Sequence, residues 1–212
     1  MNPQSKNTIQ SFYLKPLTVQ HIEVISGWYQ NIDELALIES NLPLPINPQS
    51  LEKFWQRDLE QKEPRNSYVY SICNEENVPV GLTGLQDINF TYGSGVVFVF
   101  VQKESRRQGL ALRSIALMLD MACDQLRLHR ITTYVHSDNT PSMGLINRIG
   151  FTHEGRMREA CFFNGQFGDV NVVSMLAHEW QGYRVSLSEG LDSTTSLSIG
   201  DDENTRWTWP LK

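Results

Sequence analysis

The residues most able to do chemistry begin at Arg106-Arg107-Gln108-Gly109-Leu110-Ala111. This hexapeptide follows an almost unbroken apolar run over 95–101 and opens a helical pattern. A strand that turns through a glycine into a helix start presents unpartnered backbone N–H groups and the positive end of the helix dipole, a combination that receives anions. Gly109 lacks a Cβ, so the backbone is expected to approach a ligand closely there. The pattern reads as a phosphate cradle or as an ordinary strand–helix connection, and the hexapeptide alone leaves both open. A second group of polar residues follows. Asn139 and Ser142 stand at the start of a short helix, and Glu159, Cys161 and Asp169 stand on two strands joined at Asn164-Gly165. The three cysteines are far apart, and the five histidines form no HxxxH-like pair, so no metal site is expected.

These residues need elements to hold them. Residues 1–10 read as a loose arm, and 12–14 as a short strand ended by Pro16. Thr18 is placed to cap a helix over 19–31, and 50–63 carries a second apolar stripe, Leu51, Phe54, Trp55 and Leu59. Residues 67–73 and 80–86 read as a strand pair around a turn. The run 95–101 reads as a buried strand, rich in β-branched and aromatic side chains. A helix over 110–126 turns Ala111, Ile115, Met118, Leu119 and Ala122 toward the core. A strand over 130–136 and a helix over 142–149, ended by Gly150, follow. Strands at 156–163 and 169–176 flank Asn164-Gly165, a strong hairpin signal. From Gln181 onward the chain turns rich in serine, threonine and acidic residues and reads as a disordered tail, although Trp207 and Trp209 would also suit docking onto the same or a neighbouring subunit.

Composition narrows the class. The 212 residues are 40% hydrophobic and 20% charged, which suits one folded domain. The formal charge of -6 argues against charge-driven nucleic-acid binding. The polar start has no signal-peptide core, and the longest apolar run, six residues over 96–101, is too short to span a membrane. A reducing, cytoplasmic location is expected.

The order of elements and the motifs together resemble the GNAT superfamily of N-acetyltransferases. Arg106, Gly109 and Ala111 match that family's phosphate loop. Asn139-Thr140-Pro141-Ser142, Arg148-Ile149-Gly150-Phe151, Glu154-Gly155, Asn164-Gly165 and Asp169-Val170-Asn171 follow in the order of its Rim-type branch. That branch acetylates N-terminal amines of ribosomal proteins, and its relatives act on small amines. The resemblance covers roughly 12–180, with 1–11 as an N-terminal arm and 181–212 as a tail. It implies an α/β (α+β) fold, in which helices flank a central, mostly antiparallel mixed sheet. A splayed parallel strand pair in that sheet forms the acetyl-CoA cleft.

The resemblance also implies roles. Backbone groups of Phe98, Val99, Phe100 and Val101 would meet the pantetheine arm. Gln108, Gly109, Leu110, Ala111 and Leu112 would hold the pyrophosphate, with charge from Arg106 and Arg107. Asn139 would bond the pantetheine or simply cap its helix. The tyrosine that many members use to protonate the leaving thiolate is replaced by Ile146, and the branch's serine is Ser142. The branch's hairpin glutamate aligns with Cys161. Strand alternation would put Glu159 on the same face about 7 Å away, so Glu159 is the expected base. Glu154 and His136 are the fallbacks. Asp169 would receive a cationic amine or hold the hairpin backbone. Trp28, Trp55, Phe162 and Phe163 would line the acceptor pocket or belong to the core. The expected acceptor is a primary amine, a protein N-terminus or a small amine, in a possible homodimer. A non-catalytic acyl-CoA sensor and transfer of another acyl group are the alternatives.

Overall fold

The computed structural model describes residues 9–32, 44–60, 65–163, 165–200 and 207–211, without the side chain of Phe163. Most of the N-terminal arm, the end of the second apolar stripe and Asn164 of the hairpin turn lie outside them. The described strands form one nine-stranded sheet in the order β6-β7-β5-β4-β3-β2-β1-β8-β9. They are β1 (Gln10–Pro16), β2 (Tyr68–Cys73), β3 (Pro79–Asn89), β4 (Ser94–Val101), β5 (Arg130–His136), β6 (Thr152–Phe163), β7 (Gln166–Leu176), β8 (Thr195–Ile199) and β9 (Thr208–Trp209). Pairing is antiparallel except for β4 with β5 and β1 with β8.

Strand β4 follows from its sequence. Alternate residues of this β-branched and aromatic run pack on opposite faces, Val97 and Val101 into one apolar cluster and Phe98 beside the other. The smaller cluster lies under α1 (Val19–Trp28) and α2 (Pro48–Phe54), which bring Ile22, Ile25, Leu51 and Trp55 onto Leu82 and Val69. The helix expected over 50–63 starts earlier. Asn47 accepts from the Ser50 N–H at 2.8 Å, and Pro48 occupies the first turn, where its missing N–H costs nothing. It breaks at Trp55 before a short α3 (Gln56–Leu59).

The larger cluster holds α4 (Leu110–Asp120), which continues as a π-turn over Met121–Gln125, and α5 (Thr140–Ile149). Every residue of α4 except Ala111 is buried, so one apolar face is not enough to describe it. Its second face is covered by the part of the chain expected as a tail. After Leu176 come α6 (Ala177–Glu189), β8 and β9. Trp180 and Trp209 stack at 5.4 Å and donate their indole N–H groups to the two oxygens of the buried Asp120, at 2.9 and 2.7 Å. Arg184 adds a third bond to Asp120 at 3.0 Å. Residues 181–200 and 207–211 are therefore folded onto the domain rather than a disordered tail, with Leu187, Leu197 and Trp209 buried in the core, and Trp209 is consumed within its own chain. The physical reason is that α4 is apolar nearly all round and needs a partner on both sides.

Candidate active site

The parallel pairing of β4 with β5 stops early. Ser94, Gly95 and Val96 face Arg130, Ile131 and Thr132, and there the register ends. Beyond it, residues 97–101 pair only with β3, and residues 133–136 only with β7, among the described residues. The carboxyl ends of two parallel strands thus part company, and each strand is followed in the chain by a helix, α4 after β4 and α5 after β5. A crevice at such a switch point is where open α/β sheets take ligands.

On the β4 side, a 3-10 turn (Lys103–Ser105) leads to Arg107 at φ 65 and Gly109 at φ 72, followed by α4. Backbone that swings into the left-handed region within a tight turn is able to turn successive N–H groups to one side and form an anion-binding concavity. Gly109 caps α4 without any side-chain bond. The Oε1 of Gln108 is buried with no hydrogen-bond partner among the described residues. Arg106 donates from Nε to the Val101 carbonyl at 2.8 Å and lies over the Phe100 ring, so it closes the loop onto β4. Arg107 is exposed.

Gly109 departs from expectation in one respect. A Cβ there would lie 2.1 Å from the Nη1 of Arg113, so the space is filled by a side chain of α4 and not held open for a ligand. Arg113 itself is 1% exposed. Sequence reasoning missed it because an arginine at the second turn of a helix reads as surface charge. Gln102 was missed too. It accepts from the Trp28 Nε1 at 3.2 Å and donates to the Ser105 hydroxyl at 3.1 Å, tying α1 to the loop. Trp28 also packs on Phe100 at 5.4 Å, on the α1 side of β4. Trp55 lies in the smaller core cluster instead, at 7% exposure.

On the β5 side, Asn139 caps α5 and accepts from the Ser142 N–H at 3.1 Å. Its carboxamide oxygen is committed to that cap, and its nitrogen is the group left to face a ligand. Ser142 stands half-buried in the first turn, while Ile146 is buried in the core, as an apolar replacement for a tyrosine must be.

The hairpin corrects the alternation argument for Glu159. Met157 pairs with Val170 and Cys161 with Gly168, so β6 spends four residues where β7 spends two. Glu159 sits in this bulge at φ 50, exposed, and the i, i+2 rule does not carry from Cys161 across it. Asp169 holds the bulge in place. One carboxylate oxygen accepts the Glu159 N–H at 2.7 Å, and the other is paired with Arg156 at 2.5 Å. The Glu159 N–H, with Arg156 behind it, holds the Asp169 carboxyl below the usual range. Asp169 thus bonds backbone, that of Glu159 in the bulge rather than that of the hairpin turn. Cys161 is half-buried with its Sγ 4.0 Å from the Asp169 carbonyl. Glu154 is bonded by Ser174 and Arg130, in that order the causes that lower its pKa and weaken it as a base. His136 lies in the β5–β7 ladder opposite Val170. Phe162 stacks edge-on against Phe167 at 5.0 Å, both exposed at the hairpin tip. Among the described residues no group of three or more His, Cys, Asp and Glu side chains is arranged to hold a metal.

Comparison with known proteins agrees with this geometry. Residues 11–152 match the family described as "Acetyltransferase (GNAT) domain". A spermidine N(1)-acetyltransferase of Vibrio cholerae is 27% identical over 130 residues, 61% of this chain and 73% of that protein. The N-acetyltransferase YokL, derived from the SPbeta prophage of Bacillus subtilis, is 26% identical over 149 residues, 70% of this chain and 82% of that one. The crystal structure of the Vibrio cholerae spermidine N-acetyltransferase in complex with CoA and spermine superimposes with a TM-score of 0.72 at 22% identity, covering 80% of this chain and 98% of that one.

Proposed function

The chain belongs to the GNAT acetyltransferase family and is an acetyl-CoA-dependent N-acetyltransferase, and from this premise we propose that it acetylates a primary amine, a small amine or a chain N-terminus, by direct attack while both substrates are bound. The observation that carries the reading is the end of β4–β5 pairing at Val96–Thr132, beside a loop with two left-handed residues and an uncapped helix start. This shape fits a long donor with a phosphate-bearing end. Along Phe98, Val99, Phe100 and Val101, the edge of β4 away from β3 has no strand partner among the described residues and would take an amide-containing arm, with the Val101 carbonyl already bonded by Arg106. Gln108, Gly109, Leu110 and Ala111 offer N–H groups for the pyrophosphate, with Arg106 and Arg107 at the rim and Asn139 opposite. Acetyl-CoA supplies an acyl group activated as a thioester.

The protein's own residues then have three tasks: to align the amine, to take its proton and to stabilise the departing thiolate by a hydrogen bond until it is protonated. Ser142 suits the last, with its hydroxyl at the first turn of α5, where the helix dipole favours developing negative charge. Glu159 is proposed as the base, acting from a bulge that Asp169 fixes; bulges are a recurrent way to re-aim a side chain beside a reactive site. Cys161 and Asp169 border the acceptor end, and the order of motifs in the second half supports kinship with the Rim-type branch. All three cysteines are free thiols, which suits the cytoplasm. Among the described residues no helix is long and apolar enough to cross a membrane. A homodimer would use surfaces other than Trp209.

The test is acetyl-CoA-dependent thiol release over a panel of polyamines, peptide N-termini and amino sugars. Turnover with at least one amine is expected, and Glu159→Gln is expected to lower it by about 100-fold with CoA affinity kept. CoA binding without turnover on any amine would make the protein an acyl-CoA sensor. An unchanged rate in Glu159→Gln would remove that residue from the chemistry.

A further inference from the structure

Arg113 is the least expected charge in the molecule. Its guanidinium is almost wholly enclosed, one turn into α4 and directly beneath the loop. Nη1 donates to the Gly109 carbonyl at 3.3 Å. Nη2 donates to the Asp192 carbonyl at 2.8 Å and lies 3.5 Å from the Asp192 carboxylate. Nε has no partner among the described residues. Asp192 belongs to the connection between α6 and β8, beyond the stretch that matches the family. Its carboxylate is itself fixed by the Thr194 N–H at 3.1 Å and the Thr194 hydroxyl at 2.5 Å.

A buried guanidinium is costly to desolvate, so its partners must compensate. Here they are a loop peptide and a C-terminal peptide. The Gly109 carbonyl and the Leu110 N–H are two ends of one peptide unit. A cation bonded to the oxygen draws electron density from the nitrogen and makes the N–H a stronger donor, the cooperative effect of linked hydrogen bonds in a low-dielectric setting. Leu110 is the first residue of α4, where its N–H has no helical partner. The missing Cβ of Gly109 is what admits Nη1 to this position.

We propose that Arg113, held by Asp192, is a positioning residue for the donor's pyrophosphate: it fixes and polarises the Gly109–Leu110 peptide from inside the protein, so the C-terminal segment sets cofactor affinity. The inference rests on the reading of Arg106–Ala111 as the pyrophosphate site. Lysine cannot span both carbonyls, because it offers one ammonium where arginine offers a planar fork. Arg113→Lys is therefore expected to raise the CoA dissociation constant about tenfold while leaving that of pantetheine, which lacks the pyrophosphate, unchanged.

Calorimetric and displacement titrations of wild type and variant with CoA and with pantetheine test this. Equal weakening of both ligands would make Arg113 merely structural and overturn the proposal, as would no change in either. Should Arg113→Lys fail to fold, Asp192→Ala decides, since that side chain is 60% exposed and the backbone carbonyl that accepts from Nη2 remains in alanine. It is expected to weaken CoA about threefold and pantetheine not at all, and an unchanged CoA affinity would overturn the proposal. A wild type that binds CoA no better than pantetheine would instead overturn the pyrophosphate reading of the loop, and the role of Arg113 with it.

Discussion

Trp209→Ala probes whether the C-terminal residues belong to the core. The indole is 0% exposed, stacks on Trp180 at 5.4 Å and donates to Asp120 at 2.7 Å. Truncating a buried tryptophan to alanine costs about 3–5 kcal/mol in lost contacts and cavity. Depriving a buried carboxylate oxygen of its donor adds roughly 1–3 kcal/mol. A loss of about 5 kcal/mol is a large share of the 5–15 kcal/mol by which domains are stable. With a urea slope of about 2.5 kcal/mol/M, the unfolding midpoint should fall by roughly 2 M. Trp209→Phe keeps most of the ring contact and removes only the donor, so its midpoint should fall by roughly 0.5–1 M. Urea unfolding followed by tryptophan fluorescence and by circular dichroism measures both. A shift within about 0.5 kcal/mol of wild type for Trp209→Ala, the usual result for an exposed tail, would refute the clasp.

Two further outcomes follow from the site and the clasp. Asp169→Ala frees the Glu159 N–H and Arg156, so turnover should fall at least about tenfold while CoA affinity holds, as steady-state rates beside a CoA titration would register. Burial raises the pKa of Asp120, against the opposing bonds from Trp209, Trp180 and Arg184. An acid raised in the folded state binds more protons there than in the unfolded chain. Its contribution to stability is therefore greatest below the ordinary aspartate value of 3.8 and declines as pH rises from there through the folded pKa. Relative to Asp120→Asn, wild type should lose stability as pH rises through that window, and urea midpoints measured from pH 4 upward would show it; a gap that widens with pH would contradict the assignment.

Much of this was legible in the sequence, and the exceptions have physical causes. The run 95–101 reads as a strand because β-branched and aromatic residues buried on both faces leave little else for it to be. Gly150 and Asn139 read as helix ends because their types satisfy the backbone there, and both do so, with Gly150 at φ 93. The alternation that puts Glu159 and Cys161 on one face fails because a bulge changes the count of residues without leaving a glycine to mark it. The C-terminal segment was misjudged because its composition is polar, yet Thr195, Leu197 and Ser198 are buried where β8 joins β1 in parallel. One signal was present. Helix α4 carries Leu112 and Leu117 as well as Ile115 and Met118, and a helix apolar on all sides requires cover on all sides. What no sequence pattern announces is a buried arginine that fills the room left by a glycine four residues earlier.

Every role assigned to a residue of the site depends on where the donor lies. Amide hydrogen exchange with and without saturating CoA measures this residue by residue. Protection is expected at the amides of 108–112 and along 97–101, with little change in β1, β2 or β8. Protection confined to other strands, with the amides of 108–112 exchanging as before, would contradict the assignment of the β4–β5 crevice as the acetyl-CoA site.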